Sequence, residues 1–159
     1  LACFFLETEQ TPLVYCIDQA LHWTGQLKFS NQNKKNLIQL VRYQNHPIPQ
    51  DRVSLRLLIH ELPDRFGEWI QLQQALNRLT PEQAAHLIAA SEEIRGHDCL
   101  TLKQLAINGA DLIAAGCPRP QISALLKQSL NAVMEDQIPN QKAALLRFVH
   151  QQRKPEHQE

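Results

Sequence analysis

The chain has 159 residues with 16 basic and 16 acidic side chains, so its formal net charge is zero. That length fits one compact domain or two small helical lobes and can bury roughly two-thirds of the unfolded surface. A neutral balance excludes non-specific nucleic-acid binding driven by net charge, but it leaves room for a local basic face.

The first apolar run, Leu1 to Leu6, is far too short to cross a bilayer and has no charged segment before it. Its core-like character predicts a cut fragment with further chain upstream. Residues 13–24 place Leu13, Ile17, Ala20, Leu21 and Trp23 at helical spacing, with Gly25 as the expected stop. Ser30 is the expected N-cap of the next helix, whose apolar positions are Leu37, Ile38, Leu40 and Val41. His46-Pro-Ile-Pro breaks the pattern, because two prolines cannot continue a helix.

Asp51 then caps a helix carrying Val53, Leu55, Leu57, Leu58, Ile59 and Leu62. Pro63-Asp64 opens another, with Phe66, Trp69, Ile70, Leu72 and Leu76. Thr80-Pro-Glu-Gln is a helix-start signal with Thr80 at the N-cap, Pro81 at N1 and Gln83 at N3. That helix is expected to reach about Arg95 and stop at Gly96. Shorter helices follow at about 101–105 and 109–115, then one at 119–134. Asn108 caps the second, with Asp111 near its positive end, and Gly116 occupies its C-cap region. Asn140 is expected to cap the last helix to about residue 151, ahead of a polar, frayed end. Both tryptophans lie among aliphatic residues at helical spacing and read as core.

The pattern predicts an all-α fold, an irregular bundle of short and medium helices in two lobes. Residues 1–96 form a helical body and 97–159 a smaller tail. Cys3, Cys16, Cys99 and Cys117 make no C-x-x-C pair, which argues against a zinc ribbon. They read as buried, reduced thiols of a cytoplasmic protein.

Most catalytic signatures are missing. There is no Asp-x-Asp, no Gly-Ser pair, no G-x-x-x-x-G-K-S/T loop and no G-x-G-x-x-G. No catalytic residue is assigned to this chain. The His97-Asp98 doublet lacks companion ligands, because His22, His46, His60, His86, His150 and His157 show no ligand spacing. No metal site is assigned. The doublet reads as an exposed joint with Asp98 near a helix start.

A stretch between residues 100 and 148 does carry a signature. Leu102, Leu105, Ala106, Ile107, Asn108, Gly109, Asp111 and Leu112 are followed by Gly116, Pro118, Pro120, Ile122 and Asn140. This order resembles the C-terminal tail of bacterial class II tRNA nucleotidyltransferases, the CCA-adding enzymes of the poly(A) polymerase superfamily. Leu27-Lys-Phe-Ser-Asn and Leu40-Val-Arg-Tyr are similar to stretches of the body domain in that family. One departure stands out. The family turn reads Gly-Pro-x-Ile-Gly, whereas this chain has Arg119-Pro-Gln-Ile-Ser123.

The resemblance implies a body-and-tail portion that holds the tRNA elbow. An N-terminal catalytic head of the same polypeptide, using Mg2+ with CTP and ATP, would add CCA. By itself the chain should be inactive. Partners implied are tRNA and that head, with no membrane. From the residues themselves, 28–65 holds seven basic against three acidic side chains. Candidate phosphate contacts are Lys28, Lys34, Lys35, Arg42, Arg52, Arg56, Lys103, Arg119, Lys127, Lys142 and Arg147. Each is also readable as a solvated helix face. Asn108, Gly109, Asp111, Gly116 and Asn140 are expected to be structural. The alternatives are the C-terminal part of a poly(A) polymerase and a helical protein-interaction module with no RNA role.

Overall fold

The computed structural model of this chain describes residues 13–152. The opening run, Cys3, His157 and most of the polar end lie outside them. Among the described residues there are eight α-helices and no strand, as the sequence predicts. No described helix is long and apolar enough to cross a membrane. The chain divides into two compact units, Leu1–Gln50 with Glu61–Ala90 and Asp51–His60 with Ser91–Glu159.

In the first unit, α1 (Leu13–Gln26) packs against α2 (Asn31–Arg42). Cys16 and Ala20 of α1 meet Leu37 and Val41 of α2, the i, i+4 spacing that puts both pairs on facing stripes. Ser30 caps α2 by accepting the Asn33 amide at 3.2 Å. The expected stop at Gly25 is corrected: α1 runs on to Gln26 and closes where Lys28 takes a positive φ of 53°. There the Phe29 amide donates to Thr24 O at 3.0 Å and Lys28 N to Gly25 O at 3.2 Å. A lysine therefore occupies the left-handed position that glycine usually fills after a helix.

The core assignment of the tryptophans is half right. Trp69, on α4 (Phe66–Ala75), is fully buried and donates from Nε1 to Tyr43 O at 2.9 Å. Trp23 is 52% exposed. It lies two turns beyond Cys16 on the same side of α1, so helical spacing alone reads it as core.

Around the break at His46–Pro49 the polar groups are tied down. Gln73 Nε2 and Arg78 Nη1 both donate to Gln44 O, at 2.9 and 2.8 Å. Tyr43 donates its hydroxyl to Glu61 at 2.8 Å, and burial together with that carboxylate pushes its pKa up to about 12. Helix α5 (Pro81–His97) opens with the expected reciprocal cap. The Gln83 amide donates to Thr80 Oγ1 at 3.2 Å and the Thr80 amide to Gln83 Oε1 at 2.9 Å. Gly96 does not stop α5, which continues one residue further.

The second unit contains nearly all of α3 (Arg52–Glu61), the end of α5, a 3-10 turn at Leu102–Gln104, α6 (Gly109–Ala114), α7 (Arg119–Met134) and α8 (Lys142–Gln152). Helix α7 packs against α6, α8 and the 3-10 turn. Its core joins Ile107, Leu112, Leu125, Leu130, Met134, Leu145 and Val149, with Cys99 and Cys117 buried among them. Asp51 opens α3 by accepting the Ser54 amide at 2.8 Å.

Asn108 caps α6 as expected, and Asp111, expected only near the positive helix end, completes a reciprocal capping box with it. Asn108 Oδ1 accepts the Ala110 and Asp111 amides, and Asp111 Oδ2 accepts the Asn108 amide at 2.9 Å. Gly116 then adopts φ +75°, with the Cys117 amide closing on Leu112 O at 2.9 Å. A side chain here would be strained, and glycine is not.

Asn140 is a correction. It does not cap α8: the first helical bond runs from Leu145 N to Gln141 O at 3.0 Å. Asn140 instead reaches back across the unit. Its Oδ1 accepts the Ala106 amide and its Nδ2 donates to Gln104 O, both at 2.8 Å. The competing partner won because residues 104–106 have backbone groups left over by the ending 3-10 turn.

Candidate nucleic-acid interface

Acidic and basic residues are not mixed evenly along the helices. Helices α2, α7 and α8 contain no Asp or Glu at all. Residues 19–50 carry Lys28, Lys34, Lys35 and Arg42 with no carboxylate among them. Lys35 and Arg42, seven positions apart on α2, fall on one side of that helix, opposite the stripe of Leu37 and Leu40. On α7, Arg119, Ser123 and Lys127 follow at i, i+4 and i+8 and are all exposed. Arg147 is exposed on α8, and Lys103 in the 3-10 turn. None of Lys28, Lys34, Lys35, Arg42, Lys103, Arg119, Lys127 or Arg147 forms an ion pair with another described residue.

The other three candidates are placed differently. Arg56 is only 6% exposed. Its Nε donates to Asp98 Oδ2 at 2.6 Å, and its Nη1 to Met134 O at 2.5 Å and Asp136 Oδ1 at 2.8 Å. Arg52, one turn earlier on α3, donates to both oxygens of Asp98 and to Glu93 Oε1 at 2.7 Å. Lys142 pairs with Asp111 at 2.5 Å, which links the start of α8 to the capping box of α6. These three cations are engaged by carboxylates of their own unit.

Asp98 is the anchor that local sequence does not reveal. It was expected at an exposed joint near a helix start. It follows the end of α5, and its side chain is 11% exposed. Burial alone would raise its pKa, but the hydrogen bonds from Arg52 and Arg56 outweigh that and hold the carboxyl below its ordinary range. For Arg56, burial works to lower the pKa, and the bonds to Asp136 and Asp98 more than offset it. The arginines lie 46 and 42 residues before Asp98, so no spacing rule connects them. His97 Nδ1 meets Glu93 O, one turn back on α5, at 2.9 Å. Among the described residues no group of three His, Cys, Asp or Glu side chains converges to hold a metal.

In the first unit a groove of about 440 Å3 runs beside α2 and α4. Leu37, Leu40 and Leu72 form its apolar floor, with Asn33, Gln71 and Arg65 among its polar borders. Arg65 is held there by an ion pair with Glu68.

Fold and charge pattern define an all-helical domain that presents unpaired cations on carboxylate-free helices and, among its described residues, gathers no metal ligands. The family model for tRNA nucleotidyltransferase domain 2 matches residues 10–149, and the chain belongs to that family. No curated protein and no solved structure matches the chain.

Proposed function

We propose that this domain holds tRNA for a nucleotidyltransferase by contacts to the phosphate backbone. The observation that carries the reading is the sorting of charge. Among the described residues carboxylates take Arg52, Arg56, Arg65 and Lys142, and the ten other Lys and Arg form no ion pair, six of them on α2, α7 and α8. Such cations displace the counterions condensed on RNA phosphates, and that release gives affinity without reading sequence. An enzyme that serves many tRNAs needs that kind of contact, because structured RNA is recognised largely by shape and backbone.

In this reading the addition of CCA from CTP and ATP, with its Mg2+, belongs to a catalytic head on the same polypeptide. No step of that chemistry is assigned to residues of this chain. The test is fluorescence anisotropy with total tRNA over a series of salt concentrations. The expected result is binding at low salt that weakens linearly in log–log form as salt rises. A folded chain that fails to bind tRNA at low salt refutes the proposal. The isolated chain is expected to incorporate no nucleotide into tRNA ending before CCA.

A further inference from the structure

We infer that Trp23 is a stacking platform for an unpaired base of the bound RNA, an assignment that rests on the tRNA-binding reading above. A tryptophan is an expensive side chain to leave in water, and this one is 52% exposed. Leu27, one turn on, is 55% exposed beside it. The His22 and Trp23 rings meet at an interplanar angle of 84° with centroids 5.9 Å apart, so no ring lies stacked parallel on the indole in this pair.

The surroundings specify the chemistry of that partner. Leu27 N donates to Trp23 O at 2.9 Å and Lys28 N to Gly25 O at 3.2 Å, so the turn that ends α1 brings a lysine into the stretch that follows Trp23. Lys28 has no ion pair among the described residues, and neither does Lys34 on the helix packed against α1. No carboxylate occurs from residue 19 to residue 50. The one acid on α1, Asp18, lies about 140° round the helix from Trp23. An exposed indole on a carboxylate-free stretch that also carries unpaired lysines suits a base with its phosphate: the ring stacks and the ammonium neutralises. An acidic or apolar protein face would use only half of that arrangement.

The chain has two tryptophans, and Trp69 is fully buried. Tryptophan emission accessible to acrylamide therefore reports Trp23. Adding tRNA to the full chain at low salt is expected to quench that emission and shield it from acrylamide. A fully paired RNA duplex is expected to bind through phosphates without quenching. Trp23→Ala is expected to weaken tRNA binding about tenfold, and Trp23→Phe to recover most of the loss, with helical content unchanged in both. If tRNA binds and the emission does not change, or if duplex quenches equally, base stacking is overturned and the tRNA-binding reading survives. If tRNA does not bind, both fall. Shielding that grows with protein concentration in the absence of RNA assigns the face to a second copy of the chain and overturns the inference.

Discussion

Arg56 joins Asp98 to the end of α7: its Nε donates to the carboxylate at 2.6 Å while its Nη1 donates to Met134 O at 2.5 Å. A cation at the C-terminus of a helix also meets the negative end of the helix dipole. With Arg56 6% exposed, removing Asp98 leaves a largely buried charge with fewer partners. Asp98→Ala is expected to cost about 2–4 kcal/mol, at the lower side of broken buried pairs because Asp136 remains. Urea unfolding monitored by circular dichroism measures it. A loss under about 0.5 kcal/mol, the range of ordinary surface changes, would mean the network contributes nothing.

The same pair sets an acid dependence. Asp98 has its native pKa lowered below the ordinary value of 3.8, so its contribution is complete above that value. It is lost as pH falls through the ordinary aspartate range and on through the depressed native value. Asp98→Asn should flatten the acid limb of stability between about pH 5 and pH 2. Thermal melts at stepped pH compare the two chains, and parallel acid limbs would contradict the assignment.

Asn140 ties two backbone groups of residues 104–106. Asn140→Ala is expected to cost about 1–2 kcal/mol, the sum of two modest, partly exposed bonds. Asn108→Ala, which removes the α6 cap, should cost about 1 kcal/mol. If Asn140 were instead a simple helix cap, Asn140→Ser would be nearly neutral. The long amide is needed for both bonds, so we expect Asn140→Ser to lose most of what alanine loses.

For RNA, the unpaired cations and the engaged ones should separate. Lys35→Ala and Arg42→Ala on α2, and Arg119→Ala and Lys127→Ala on α7, are each expected to weaken tRNA binding and to reduce the salt slope by about 0.7–0.9. Folding stability should stay within about 0.5 kcal/mol for all four. Arg56→Met is expected to act the other way, lowering stability while leaving the salt slope of the folded protein unchanged. Equal salt-slope losses from Arg56→Met and Arg42→Ala would dissolve the distinction between engaged and unpaired cations.

Much of the fold was legible because its causes are local. Thr80, Pro81 and Gln83 act within one turn, as do Ser30 with Asn33 and Asn108 with Asp111. Gly116 is required by its own φ. The family resemblance, carried by residues 102–140, also stood in the chain itself, and the family match over residues 10–149 bears it out. Helix ends were less legible. Lys28 takes the position that Gly25 was expected to control, because a left-handed residue costs little enough for the surrounding turn to decide where it falls.

What sequence by itself determined, then, is the helical order, the caps, the prolines that interrupt it and the supply of cations. Only the tertiary structure decided which cations are spoken for. Asp98 draws in Arg52 and Arg56 from more than 40 residues away, and Asp111 draws in Lys142. It also separated two tryptophans that periodicity treats alike, burying Trp69 and leaving Trp23 in solvent. The physical reason is the same in each case. Periodicity fixes which side of a helix a residue occupies, whereas burial and charge pairing depend on what the rest of the chain brings to that side.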